Sequence, residues 1–420
     1  MIDRYIMNNT FSPEQIRQKK FIILIAGVIL YFLTSMAKVL IPASIFNDLQ
    51  QLGFDARIIS AMGAAYMYAY AASQLLAGIF SDRYGGVRIL LTGGSMFFIG
   101  TIGFPLTDNA VLMILCRIAA GFGSGTVFLG TAKLLNDLFS KKFTLVLGTV
   151  LFIGYCGPTT GTMPMTKLIQ IIGWRQAMML PGYVTGGLLL TMLIFMRGTI
   201  KPVMTGQTFK PLLTMVKNFP MWMVCISGAS VFGAYYVLLS QIGQKSIVDF
   251  CKVSPSKAAF GIMILTIIVA VNNMGVNFLL KLVGNRRKVV AYASLLCSAA
   301  GGFLGFMAFS QNPSYFLVWC AFLLIAIPAG FFPLFCTSGK ELTPPENIGM
   351  AVAWFNFWCF VLIASYQNVT GKVLQLYSVS GQTAYPPEAY AKVFSILGIL
   401  SVIGFILTFF YPETGKNNNK

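Results

Sequence analysis

Runs of about 20 apolar residues recur from one end of this chain to the other, and each is long enough to cross a bilayer as a helix. In lipid every backbone N–H and C=O must find a partner within the protein, so chain of this kind is confined to spanning helices. Composition agrees. Of 420 residues, 56% are hydrophobic and only 10% charged, whereas an average soluble domain carries roughly 25% charged residues. A water-soluble globule is excluded, and hydrophobicity this high excludes disorder. The fold class is an all-α polytopic membrane protein.

Hydropathy predicts twelve transmembrane helices, at 21–43, 58–80, 87–107, 110–132, 143–166, 176–196, 220–243, 258–280, 289–309, 314–337, 348–371 and 390–411. The polar stretch 197–219 separates them six and six. The expected organisation is a cytoplasmic segment 1–20, a six-helix bundle 21–196, a cytoplasmic central loop 197–219, a second, pseudo-symmetric six-helix bundle 220–411 and a tail 412–420. Ser12-Pro13-Glu14 reads as a helix N-cap with proline at the first helical position, starting a short interfacial helix. The first span is too long for a secretory signal and lacks its small-residue cleavage pattern, so it is expected to stay in the membrane.

Basic residues divide 20 to 8 between the two sets of loops, which places both termini in the cytoplasm. Lys133 and Lys340 lie at similar inner ends of spans in the two halves and read as headgroup anchors. The net charge of +18 is explained by those loops and anionic lipid, with no nucleic-acid partner required. The chain has no histidine, and its eight cysteines stand singly. No metal site, disulfide framework or cofactor is expected, and the cysteines read as small packing residues. No nucleophile–base pair argues for an enzyme, and no filter-like segment argues for a channel.

An ionisable residue at membrane depth costs about 2.5–3.5 kcal/mol on insertion scales and is a functional candidate for that reason. All 12 acidic residues fall in predicted loops, tails or helix ends, while Lys38 and Arg117 lie within spans. Two buried cations without a buried anion call for compensation, and an anionic solute could supply it. Tyr31, Thr34 and Lys38 share one face of the first span, and Tyr66, Tyr70 and Gln74 form a similar stripe on the second. Tyr235, Gln241, Gln244, Asn272, Asn273, Asn356, Gln367 and Asn368 add polar groups in the second half, with Phe331, Phe332, Trp354 and Trp358 as apolar surface. Lys38 could instead snorkel to the outer interface, and Arg117 could instead bond carbonyls of neighbouring helices. Lys245, at the outer end of the seventh span, is expected to be solvated, although a kinked helix could bring it into the cavity.

A weak internal repeat relates Gly78-Ile-Phe-Ser-Asp82-Arg83-Tyr-Gly85-Gly86-Val-Arg88 to the stretch from Asn277 to Arg287 at an offset of 199 residues. Gly85 and Gly86 permit a tight turn there. The segment Gly78–Arg88 resembles the signature loop of the major facilitator superfamily. Leu115-Cys-Arg117-Ile-Ala-Ala-Gly121-Phe-Gly123 resembles that family's arginine motif, and Gly154-Tyr-Cys-Gly157-Pro158-Thr-Thr-Gly161 its glycine-proline motif, most familiar in exporters. The resemblance implies two rocking halves, with Gly78, Asp82, Arg83, Gly85 and Arg88 gating the cytoplasmic ends and Gly157 and Pro158 the fifth span. The second copy of the loop departs from the pattern, because Lys281 stands where an acidic residue is expected.

Tyr31–Pro42 is similar to the organophosphate and organic-anion branch, although Thr34 stands where that branch has its phosphate-binding arginine and Lys38 follows a turn later. The expected function is secondary transport of a small carboxylate-bearing solute by alternating access. Lys38 would be the main anion contact, with Arg117, Tyr31, Thr34, Tyr66, Tyr70, Gln74, Tyr235, Gln241, Asn272, Asn273, Trp354, Asn356 and Trp358 around it. Exchange of anions, or a proton carried with the solute, fits the missing midspan carboxylate. The runner-up is a proton-coupled exporter of lipophilic drugs. A monomer in a bacterial inner membrane is expected, its partners being the solute and the bilayer.

Overall fold

A computed structural model describes residues 12–200, 210–310, 314–344, 348–379 and 382–415. Helix α1 (Pro13–Leu40) opens on Ser12, whose hydroxyl accepts from the Gln15 N–H while the Gln15 side chain accepts from the Ser12 N–H. This reciprocal cap sets the helix start. The helix then runs unbroken into the membrane, with no separate interfacial piece. A short α2 (Phe46–Gln51) leads to α3 (Ala56–Tyr84), α4 (Gly86–Gly103), α5 (Ala110–Phe139), α6 (Phe143–Thr160), α7 (Met163–Ile172) and α8 (Trp174–Phe195). The second half holds α9 (Lys210–Lys217), α10 (Phe219–Val237), α11 (Gly243–Cys251), α12 (Pro255–Leu282), α13 (Arg287–Ser310), α14 (Tyr315–Ala329), α15 (Phe332–Glu341), α16 (Ile348–Leu376) and α17 (Pro387–Leu407). Among the described residues ten helical stretches are long and apolar enough to cross a membrane. Ile99, Phe278 and Ile403 are exposed apolar side chains on the outside of the helical bundle, as a lipid-facing surface requires.

The spans differ from the hydropathy expectation in three places, each for a local reason. The expected span 143–166 stops at Thr160, and the chain turns at Gly161-Thr162 before α7, which has a proline in its first turn. The expected span 314–337 breaks at Gly330-Phe331, between Pro328 in the last turn of α14 and Pro333 in the first turn of α15. The expected span 220–243 does not end there. A single π turn, Leu238–Ile242, carries α10 directly into α11, a form common where a helix bends around a functional position. Lys245 is therefore buried inside the protein and not solvated, since its helix continues past it.

Close helix contact depends on glycine. A Cβ on Gly123 would lie 2.3 Å from the Gly93 carbonyl oxygen and 2.5 Å from the Phe97 nitrogen, so α4 and α5 meet at backbone distance. Lys20 pairs with Asp137, and Lys19 donates to the Arg197 carbonyl. In the second half Arg287 forms a two-pronged pair with Glu341, and Glu413 accepts from the Lys288 N–H. Both ends of the described chain thus lie at one end of the molecule.

The opposite end is shut by contacts between the two halves, with α3 and α16 packed side by side. The Ala43 N–H donates to the Ser240 carbonyl, the Ala56 N–H to the Gln375 side chain, and Gln241 Nε2 to Ser60 Oγ at 2.5 Å. Gln50 donates to the Tyr385 hydroxyl and Ser256 to Gln170. Towards the termini the halves separate around a cavity of about 830 Å³ between α6, α12 and α15, lined by Phe152, Tyr155, Asn273, Met274, Arg287 and Thr337 among others.

Candidate functional site

Lys38 lies in the last turn of α1 and is 8% exposed. Its Nζ stands 3.9 Å from the centroid of the Tyr70 ring and 5.6 Å from that of Phe360. Tyr70 comes from α3 and Phe360 from α16, and their rings meet edge to face at 4.5 Å. The ammonium therefore sits where the halves touch. The ion pairs between described residues join Lys20 to Asp137, Arg175 to Asp108, Lys245 to Asp249 and Arg287 to Glu341. None involves Lys38. A desolvated cation–π contact contributes about 2 kcal/mol, less than the roughly 2.5–3.5 kcal/mol that a lysine at membrane depth costs. Lys38 is thus a buried amine held by aromatic rings, with no ion pair to another described residue.

Tyr70 belongs to a group of neighbouring phenols. The Tyr236 hydroxyl lies within electrostatic reach of those of Tyr31, Tyr66, Tyr70 and Tyr235, and Tyr155 from α6 is in reach of Tyr31 and Tyr235. These tyrosines come from α1, α3, α6 and α10, so both halves contribute. Tyr31 packs on Phe128 at 5.0 Å, and Phe232 stacks on Phe332 at 4.2 Å. Thr34 is wholly buried, its hydroxyl donating to the Tyr31 carbonyl and its own carbonyl accepting from Tyr66. Gln74 donates to the Gly125 carbonyl.

Arg117 is placed differently. Its guanidinium donates to the carbonyls of Met62, Ala37 and Ile41, at 3.2, 3.4 and 3.5 Å, and covers the Tyr66 ring at 4.3 Å. It ties α5 to α3 and to the end of α1, one layer behind Lys38. Gln241 and Gln367 are also held in the seam, Gln241 donating to Ser60 and to the Gln367 carbonyl and Gln367 donating to Ser240. Asn272 donates to the Ile327 carbonyl, while Asn273 faces the large cavity beside Tyr155. Phe331 is half-buried at the break between α14 and α15. Asn368 donates to the Tyr68 hydroxyl from the other half. Trp354 and Trp358 form an aromatic group with Trp222 at 5.2 and 4.6 Å, away from the phenols, and Asn356 is half-buried on the same helix.

Among the residues expected to gate, Gly85 has φ 79° and caps α4, and Arg88 is half-buried beside Lys20 and Asp137. The side chains of Gly78, Asp82 and Arg83 lie outside the described residues. Gly157 lets α6 pass α1 closely, its missing Cβ falling 2.6 Å from the Phe32 carbonyl, and Pro158 is the next residue of the same helix. Phe360, Tyr236 and Tyr155 were not singled out from sequence. Aromatic residues are so frequent in these spans that no local pattern separates cavity from filler.

The arrangement suits reversible binding of a solute between two halves, with no described group poised for covalent chemistry. A sequence profile for the Major Facilitator Superfamily matches residues 23–366, and the chain belongs to that family. It is a multi-pass membrane protein of a transporter family and not an enzyme, built to bind a small-molecule solute within its helices. Multidrug resistance protein D of Escherichia coli is 23% identical over 410 residues, covering 92% of this chain and 95% of that one. A chloramphenicol resistance protein of Pseudomonas aeruginosa is 26% identical over 195 residues, 45% of this chain. The chain spans 46% of the length of that relative. Among solved structures, the nucleoside transporter NupG superposes with a TM-score of 0.70 at 18% identity, covering 94% of this chain and 100% of that one. A bacterial homologue of the lysosomal transporter Spinster gives 0.73 at 15%, covering 93% and 96%.

Proposed function

We propose that this protein is a secondary transporter that exports amphipathic aromatic compounds, neutral or anionic, by alternating access between two six-helix bundles, 21–196 and 220–411. The observation that carries this reading is Lys38, a buried ammonium at the meeting of the halves with two aromatic rings and no ion pair to another described residue. A phenol-rich chamber favours flat, partly polar solutes, and the lysine favours a carboxylate, nitro or similar electron-rich group. The relatives are named for resistance to chloramphenicol and to multiple drugs, which supports export. The absence of a carboxylate near Lys38 among the described residues argues against lipophilic cations as the main cargo.

Basic loops favour both termini in the cytoplasm, so the open cavity faces inward and the shut end outward. Cargo would enter between α6, α12 and α15 and reach the phenols from that side. Arg117, placed behind the chamber, would hold the shape of the site while Lys38 makes the contact.

The test is thermal stabilisation of protein in lipid nanodiscs by aromatic carboxylates, nitroaromatic neutrals and lipophilic ammonium compounds, repeated on Lys38→Gln. Aromatic anions should bind the parent and lose about 10–100-fold in affinity in Lys38→Gln, the effect of one charge-assisted contact. Equal stabilisation of both proteins by lipophilic cations, with none by anions, would overturn the reading.

A further inference from the structure

A second group of buried charges lies about three helical turns above the phenols, at the shut end. Asp249 and Lys245 occupy adjacent turns of α11, with side chains 4% and 2% exposed. The ammonium donates to Asp249 Oδ1 at 2.8 Å and to the Thr383 carbonyl at 2.7 Å. Asp249 Oδ2 accepts from the Tyr390 hydroxyl at 2.5 Å and from the Tyr385 N–H at 3.0 Å. Every one of these hydrogen-bond partners lies in the second half. The ion pair holds the strap before α17 at two points, residues 383 and 385.

What the strap presents is Tyr385. Its ring meets Phe46 edge to face at 6.2 Å, and its hydroxyl accepts from Gln50 at 3.0 Å. Both residues belong to α2, in the first half. Lys245 also faces the Phe46 and Tyr385 rings, at 5.9 and 5.5 Å. The chain of contacts is continuous, from carboxylate to strap, from strap to tyrosine, and from tyrosine to the opposite half.

An ion pair buried this deeply is a poor source of stability on its own, because desolvation offsets most of the attraction. Its value lies in geometry. A carboxylate with three donors in fixed directions allows the strap one position, and that position aims the tyrosine at α2. We infer that Asp249 is a positioning residue for the outer gate: with Lys245 it fixes the strap so that Tyr385 can clasp α2 when the outer end shuts. The inference rests on the alternating-access reading, in which this end opens and closes.

The experiment is a double-mutant cycle on Asp249→Asn and Gln50→Ala, with spin labels at Gln51 and Ser378 in a chain whose native cysteines are replaced. Distances between the labels report the closed and open populations of the outer end. Each single variant should raise the open fraction, Asp249→Asn by about tenfold. The double variant should add little to Asp249→Asn, because both act through Tyr385. Solute affinity at the inner-facing site should stay at the parent value while the maximal transport rate falls. Additive effects would overturn the inference, as would lowered thermal stability with an unchanged distance distribution. Gln50→Ala removes one partly buried side chain on a surface helix, so it folds and keeps the test decisive if Asp249→Asn does not. Should solute binding to Lys38 fail in the parent, the distances still read the gate, so the two failures are distinguishable.

Discussion

Gly371→Leu should lower transport by about 100-fold, a population shift of roughly 2.7 kcal/mol towards the state with its outer end open, and apparent solute affinity from the inner side should fall with it. The reason is the seam between α3 and α16. A Cβ on Gly371 would stand 2.3 Å from Ser60 Oγ, 2.4 Å from Ser60 Cβ and 3.0 Å from the Ala56 carbonyl oxygen. Ser60 is in turn fixed by Gln241 from the second half, so it cannot swing aside without breaking a buried bond. Forcing a leucine into such a contact costs about 1–3 kcal/mol in a fixed structure. Here the two halves can separate, and that relieves the clash by opening the outer end. The measurement is transport into inverted vesicles beside solute binding to purified protein. Gly275→Leu is the control, because a Cβ there meets nothing within 4 Å. Equal loss in both variants would show that bulk on a helix, and not closure of the seam, is what matters.

The second large effect concerns Arg117. Arg117→Leu should lower stability by about 3 kcal/mol, since three carbonyls on two helices lose a charged donor. Arg117→Lys should recover little, because a point charge cannot span carbonyls on α1 and α3 as a planar guanidinium does. Lys38→Gln should leave stability near the parent or raise it, as an uncompensated charge is removed. Thermal unfolding of the three variants in one lipid separates the two cations. A loss in Lys38→Gln as large as in Arg117→Leu would mean that Lys38 serves packing, and not a solute.

The contrast between these cations also marks how far sequence reasoning reaches. That Lys38 and Arg117 lie at membrane depth follows from local hydropathy, and that Tyr31, Thr34 and Lys38 share a face follows from helical period. The capped start at Ser12 is equally local, one hydroxyl and one amide exchanging bonds over three residues. Which charge keeps company with which backbone is set by contacts between helices far apart in sequence. Arg117 meets residues 55 and 80 positions away, and no spacing rule announces that. Phe360 is one of 36 phenylalanines, distinguished from the rest by lying across the seam from Tyr70. Polar residues ordinarily end a span, so sequence places Lys245 at a solvated helix end and Asp249 in a loop, tail or helix end. In the fold, a π turn and the strap before α17 give those same groups partners, so the helix continues. Asp249 lies in the last turn of α11, a helix end, and is buried there with partners of its own.

One regularity of the contacts has a consequence for how such a machine responds to its surroundings. The ion pairs between described residues each lie within one half, whereas the bonds between halves at the shut end are amide, hydroxyl and carbonyl contacts. Exposed ionic attractions weaken as salt rises, over a screening length of about 8 Å at physiological strength, whereas neutral dipolar bonds scarcely respond. Among the described residues the ion pairs stiffen each half, and the hydrogen bonds that join the halves at the shut end are uncharged. On the alternating-access reading proposed above, the balance between a shut and a parted outer end should therefore change little with ionic strength.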